Sequence, residues 1–446
     1  LKNLGLKGMM LGLSFILLIA SFFGTGINVY AAGPDVKAEG AILVDADTGK
    51  ILYEYNADLT LAPASMTKMM TEYLVLEAID KGKIEWDTKV SISEHVHKIS
   101  QNRGLSNVPL RVDLKYSVKE LYEAMAIYSA NGATMALAEA VSGTESKFVE
   151  QMNKKAKEMG LTEYKFVNTT GLNNRDLGGN HPAGGPEEEN MLSARSTAKL
   201  AFRLVKDYPE VLDFASIPEK KFREGTDDMI QMKNWNWMLP GLVYANKYKV
   251  EGIDGLKTGS TDLAGYCFTG TAKQGDMRLI SVVMNTNSYE ARFAETEKLL
   301  NYGFNNFEKQ TLVKAGYQKK DQADLPVVKG KEKSVAVSSN KELSTVIKKG
   351  EKELYKPKVK IDKSKLNEDG ALVAPVKKGE AVGKVTLDYK GKEDFGYLYE
   401  KQQAAVDLVT ENSIEKAGWF TLAMRGIGGF FSGIWTSVAD AVKGLF

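Results

Sequence analysis

Ser65 and Lys68 lie three residues apart in the stretch LAPASMTKMMTEYLVLEAI, which otherwise reads as a helix made for burial. Residues three apart on a helix share a face, so the two side chains should meet near its N-terminal end. A serine hydroxyl is a poor nucleophile at neutral pH and needs an adjacent base. Lys68 can be that base only when neutral, which requires burial or a second cation to lower its pKa. Two further short motifs follow in order, SAN at Ser129 to Asn131 and KTG at Lys257 to Gly259. Each is common by itself. Together they open a helix, fall at a helical break and lie on a strand, and that combination is a strong signal of a nucleophile with its base. The competing reading is a pair of solvated lysines near a structural serine.

The elements that must position these residues show in the hydrophobic pattern. Apolar positions from Met66 to Ile79 recur at helical spacing, with Pro63 placed at the first turn. Upstream, EGAILVDADTGKILYEYNAD reads as two strands around the turn DADTGK. The segment SVKELYEAMAIYSANGATMALAEAVSG is helical, broken around Ser129 to Gly132 and stopped at Gly143. The segment ESKFVEQMNKKAKEMG is an amphipathic helix ended by Gly160. Thr169 to Asn190, rich in Gly and Asn, is a long loop of the kind that borders functional sites. From Ile253 strands return in DGLKTG, AGYCFTGTA and MRLISVVMN, and the helix EARFAETEKLLNYGFNNF closes the unit near residue 309. Strands at both ends with helices between predict an α+β domain: an antiparallel sheet packed on a helical cluster. After Lys309, short strand signals separated by Lys- and Gly-rich turns predict a small antiparallel β-sandwich. The expected domains are 32–309 and 310–409.

The motifs SMTK, SAN and KTG in this order resemble those of the penicillin-binding protein and serine β-lactamase superfamily. The whole chain looks most like the low-molecular-mass D-alanyl-D-alanine carboxypeptidases of Gram-positive bacilli. The resemblance implies a β-lactamase/transpeptidase-like catalytic domain. It makes Ser65 the nucleophile, Lys68 its base and Ser129 a proton relay to the leaving amine. Asn131 would hold the substrate backbone, and Lys257 would be the second cation across the cleft. The backbone N–H groups of Ser65 and Ser260 would form the oxyanion hole. Thr258, beside Gly259, would bind the free carboxylate of a terminal D-alanine together with Arg292, for which a surface salt bridge is the competing role. The substrate implied is the D-Ala-D-Ala end of a peptidoglycan stem pentapeptide, with β-lactams as covalent inhibitors and cell-wall biogenesis as the setting. The alternatives from the same acylation site are a β-lactamase and a penicillin-binding sensor or scaffold without turnover. For the β-lactamase, EEENML lies in the right broad region but does not match that family's usual pattern.

The rest of the chain bounds the remaining options. With 446 residues, two or three domains are expected. A net charge of +2 gives no argument for nucleic acid as a partner, and a single cysteine, Cys267, excludes an internal disulfide. Lys2 and Lys7 before the apolar residues 9–23, with Ala31 and Ala32 beyond, predict a signal peptide over 1–31. At the other end, Phe420, Met424, Ile427, Phe430, Phe431, Ile434, Trp435, Val438, Val442 and Leu445 fall within an arc of about 140° on a helical wheel. Segment 410–446 is therefore expected to lie on a membrane surface as an amphipathic anchor, placing the protein at the outer face of the cytoplasmic membrane. No metal or organic cofactor is expected. His95 and His97 could pair as ligands on a strand, but no third ligand cluster accompanies them, and packing is favoured. Trp235 and Trp237 read as core residues.

Overall fold

The run Ala41–Val44 is apolar at every position because both faces of its strand are covered. This strand, β1 (Gly40–Asp45), lies in a five-stranded sheet with β2 (Ile51–Tyr55), β3 (Ile253–Thr261), β4 (Gly265–Gln274) and β5 (Met277–Thr286). The order is β3-β4-β5-β1-β2, and every pair is antiparallel. The two chain-terminal parts of the domain thus meet at β1 and β5, with Ile42 opposite Val282. Ile42 and Val44 face the main core, whereas Ala41 and Leu43 pack on the other side with Phe293, Leu299 and Leu300. This is the α+β architecture expected, with helices on both faces. The computed structural model describes residues 33–399 and 403–424, so the proposed signal peptide lies outside the described residues.

The helical layer is centred on α1 (Lys68–Asp80), which is buried almost all round and is entered through a 3₁₀ turn at Ala64–Thr67. Around it stand α2 (Val118–Tyr128), α3 (Asn131–Ser142), α4 (Glu145–Glu158) and α5 (Ala194–Asp207). A capping box starts α2: Ser117 Oγ accepts from Glu120 N at 3.1 Å, and Glu120 Oε2 accepts from Ser117 N at 2.8 Å. On the opposite face of the sheet lies α6 (Tyr289–Asn306), capped by Ser288.

Strand β6 (Phe307–Val313) follows α6 directly and pairs with β9 (Leu343–Lys348). The other strands of this part are β7 (Asp324–Val328), β8 (Ser334–Ser339), β10 (Tyr355–Ile361), β11 (Leu372–Val373), β12 (Ala381–Tyr389) and β13 (Ala405–Thr410). They form a six-stranded sheet in the order β10-β12-β13-β8-β7-β11, with the β6–β9 ribbon packed against it through Val313 and Leu343. The expected sandwich is antiparallel throughout except at one edge. There β11 runs parallel to β7, Val327 opposite Leu372, because the chain crosses the domain before returning to that edge.

The β-rich part is fastened to the five-stranded sheet. Gly49 and Ile51 exchange backbone hydrogen bonds with Leu398 and Gly396, both 2.8–2.9 Å. Lys50 buries its ammonium against Val346 O at 3.0 Å and Tyr355 Oη at 2.6 Å. Burial lowers the pKa of Lys50 to about 8, opposed by Asp394, Asp45 and Glu351.

Candidate active site

The 3₁₀ turn before α1 puts Ser65 at the lip of a cleft and turns Lys68 inward. Lys68 Nζ donates to Ser65 Oγ at 2.9 Å, Asn131 Oδ1 at 2.8 Å and the backbone carbonyl of Thr170 at 2.7 Å. Ala64, just before the serine, adopts φ +46°, a left-handed conformation that costs a residue with a Cβ free energy. The break between α2 and α3 has the same character. Ser129 caps α2 with φ +59° and ψ +29°, and α3 restarts at Asn131. Such strain persists where the surroundings over-determine it, which is characteristic of functional sites.

The KTG segment lies on β3, an edge strand that packs directly on the serine turn. A Cβ added to Gly259 would lie 2.4 Å from the carbonyl oxygen of Pro63, so only glycine allows this approach. Lys257 Nζ donates to Ser129 Oγ at 2.9 Å and to Thr258 O at 3.2 Å. The cleft, about 170 Å³ in volume, is lined by Ser65, Ser129, Asn131, Thr258, Gly259, Ser260 and Arg292. With Lys68 and Lys257 beneath them, all nine residues singled out in the sequence come together.

Arg292 is not a surface residue. It is 1% exposed, and its Nη1 donates to Gly259 O at 3.2 Å. Its guanidinium lies over the Tyr289 ring at 4.9 Å, and its buried Nε has no hydrogen-bond partner among the described residues. Burial brings its pKa down to about 10. A buried cation of this kind, without a carboxylate partner among the described residues, suits a ligand carboxylate.

The electrostatics favour an activated serine. Burial above all, then the charge of Lys257, moves Lys68 well below the ordinary lysine pKa. Lys257 is also lowered by burial, to about 8, with Arg292 pushing the same way and Glu72 opposing. A neutral Lys68 can take the proton of Ser65 while Lys257 remains cationic at neutral pH.

Several contributors were hidden in the sequence. The Thr170 carbonyl is backbone and carries no side-chain signal, although it belongs to the loop expected to border a site. Asn190, at the end of that loop, accepts from Val167 N at 2.6 Å and Asn168 N at 3.1 Å, and donates to Thr67 Oγ1 at 2.9 Å. It pins the loop to the serine turn. Trp235, expected in the core, lines the cleft, stacked on Tyr128 with its indole N–H donating to Tyr128 O at 3.1 Å. Trp237 does pack inward, against Phe293 and Tyr289. His95 and His97 lie on the short helix Glu94–Ser100 and not on a strand. Among the described residues no group of three or more His, Cys, Asp or Glu is placed to hold a metal ion. Glu189 accepts from Thr261 Oγ1 at 2.8 Å and from Asn173 Nδ2 at 3.4 Å.

Comparison with known proteins agrees with this geometry. The sequence profile of the D-alanyl-D-alanine carboxypeptidases matches residues 27–288, and that of the penicillin-binding protein 5 C-terminal domain matches residues 307–416. D-alanyl-D-alanine carboxypeptidase DacF of Bacillus subtilis is 37% identical over 392 residues, covering 88% of this chain and 90% of that protein. DacC of Escherichia coli is 33% identical over 436 residues, covering 97% and 95%. Among solved structures, the peptidoglycan synthesis regulatory factor PBP3 of Streptococcus pneumoniae matches with a TM-score of 0.71 at 36% identity. It covers 85% of this chain and 100% of its own. Penicillin-binding protein D2 of Listeria monocytogenes in its ampicillin-bound form matches 61% of this chain and 100% of its own, at 33% identity and a TM-score of 0.50. With the family profile over most of the catalytic part and relatives matching along nearly the full length, the chain belongs to the D-alanyl-D-alanine carboxypeptidase family.

Proposed function

We propose that this protein is a serine D-alanyl-D-alanine carboxypeptidase that trims the terminal D-alanine from peptidoglycan stem pentapeptides through an acyl-enzyme on Ser65. The observation that carries the reading is the double lysine network: Lys68 on Ser65 and Asn131, Lys257 on Ser129. Lys68 takes the proton of Ser65 as Oγ attacks the penultimate carbonyl. The Ser65 and Ser260 N–H groups stabilise the oxyanion, and Ser129 returns a proton to the departing D-alanine amine. Thr258 and Arg292 hold the free carboxylate, and Asn131 holds the substrate backbone. Water then releases the acyl group. β-Lactams acylate the same serine, because the ring amide and its carboxylate occupy the positions of the D-Ala-D-Ala end. A relative in an ampicillin-bound form supports β-lactam binding. Ser65→Ala should lower D-alanine release from a diacetyl-Lys-D-Ala-D-Ala-type peptide by at least about 10³-fold and abolish covalent penicillin labelling. A labelled, active Ser65→Ala protein overturns the assignment.

The same reading places the protein outside the cytoplasm, attached to the outer face of the membrane by its C-terminal amphipathic helix. Support comes from the described part of that segment. Residues 419–424 are helical, with Trp419 81% exposed and Phe420 and Met424 also exposed. No described helix is long and apolar enough to cross a membrane.

A further inference from the structure

The helix that carries Lys68 also carries a carboxylate one turn deeper. Glu72 follows Lys68 by four residues on α1, so the two side chains share a face about 6 Å apart along the axis. Glu72 is 3% exposed, and it makes no side-chain hydrogen bond to any described residue. Beside it on α2 is Tyr122, whose buried hydroxyl also has no partner among the described residues. An acidic side chain in such a place is expensive to keep unless its charge is used.

The groups that act on Glu72 define that use. They are Lys257 on β3 and Lys68 on its own helix, while burial, helped in turn by Glu72, holds Tyr122 on α2 neutral. On the far side of Lys257, Arg292 on α6 repels it. Two lysines and an arginine therefore converge on the cleft floor, and Glu72 is the carboxylate that offsets the lysines. We propose that Glu72 is an electrostatic positioning residue: its buried carboxylate, one turn below Lys68 on α1, offsets the positive charge gathered under the cleft and so sets the pH range in which Ser65 is acylated. Glu72 touches neither substrate nor the reacting atoms and acts through Lys257. Its own pKa is pushed up to about 7 by burial, against the pull of both lysines, so its charge is itself adjustable near neutral pH.

The direction of the effect follows from the charge. A carboxylate raises the pKa of both lysines, so removing it lowers both. The loss falls on the alkaline limb, where Lys257 gives up its proton earlier, and the acid limb moves the same way as Lys68 becomes neutral at lower pH. The whole profile shifts down. A merely structural glutamate would scale activity or melting temperature without moving the limbs.

The proposal rests on Lys68 as the base, and the experiment separates the two ideas. Full-length wild type, Glu72→Gln, Glu72→Asp and Lys68→Gln are assayed for D-alanine release between pH 5.5 and pH 9.5, with thermal melts to establish folding. Glu72→Gln should move the alkaline limb of kcat/KM down by about one unit or more, lowering activity at pH 8.5 about tenfold. Glu72→Asp, which withdraws the carboxylate by one methylene, should shift it in the same direction by less, and it serves as the test if Glu72→Gln does not fold. A limb at the wild-type position in either folded variant overturns the role of Glu72. An active Lys68→Gln overturns the reading of the base instead.

Discussion

At the scale of single residues, the proposed catalytic set was legible because acyl transfer needs side chains whose types and order are distinctive. In the proposed mechanism Ser65, Lys68, Ser129, Asn131 and Lys257 carry the chemistry in their own functional groups. Arg292 was ambiguous, since an arginine on an amphipathic helix is ordinarily solvated, and only its burial against Gly259 and Tyr289 removes that option. This makes Arg292 a sharp test of carboxylate recognition. Arg292→Ala should lower kcat/KM for a peptide with a free C-terminal carboxylate by about 10–10²-fold. It should change the rate on the C-terminally amidated peptide far less. Equal losses on both peptides would assign Arg292 to packing. Glu72 was illegible for the opposite reason: within an apolar helix a glutamate looks like its solvent-facing position, and α1 has none there.

At the scale of elements, period and capping signals located the helices and strands, but close approaches between them leave little trace in sequence. Gly259 was noted as part of KTG, yet the reason for it is the carbonyl of Pro63, almost two hundred residues earlier. The loop ending at Asn190 was recognisable by composition. That its last side chain holds Val167, Asn168 and Thr67 together was not, because asparagine is common in loops for local reasons. Asn190→Ala would leave two backbone N–H groups without their acceptor in a buried site, at a cost of about 2 kcal/mol or more. The melting temperature should fall by several degrees. With the Thr170 carbonyl released from Lys68, D-alanine release should fall with it. Unchanged melting and activity would show that the loop is held by other contacts.

At the scale of the whole molecule, the α+β core and the β-rich second part followed from where strand and helix patterns alternate. The fastening between them did not, because it is made by backbone pairing of Gly49 and Ile51 with residues 396–398 and by one buried lysine. The structure also shows where a cut that tests the membrane anchor must fall. Ile414 pairs with Val376, and Ala417 N donates to Lys329 O at 2.9 Å, so residues 411–417 complete the β-rich part. A chain ending at Ala417 should keep full peptidase activity and lose sedimentation with anionic vesicles; retained sedimentation would contradict the anchor.

The most direct test of the central claim is the rate at which penicillin acylates the protein as a function of pH, with the adduct mapped by mass spectrometry. Burial and the charge of Lys257 hold Lys68 well below the ordinary lysine pKa, and Lys257 is cationic only up to about pH 8. The account predicts an adduct on Ser65 and a bell-shaped profile whose rate falls above about pH 8. A rate that climbs steadily past pH 10, as an ordinary lysine base would give, or an adduct on any other residue, would contradict it.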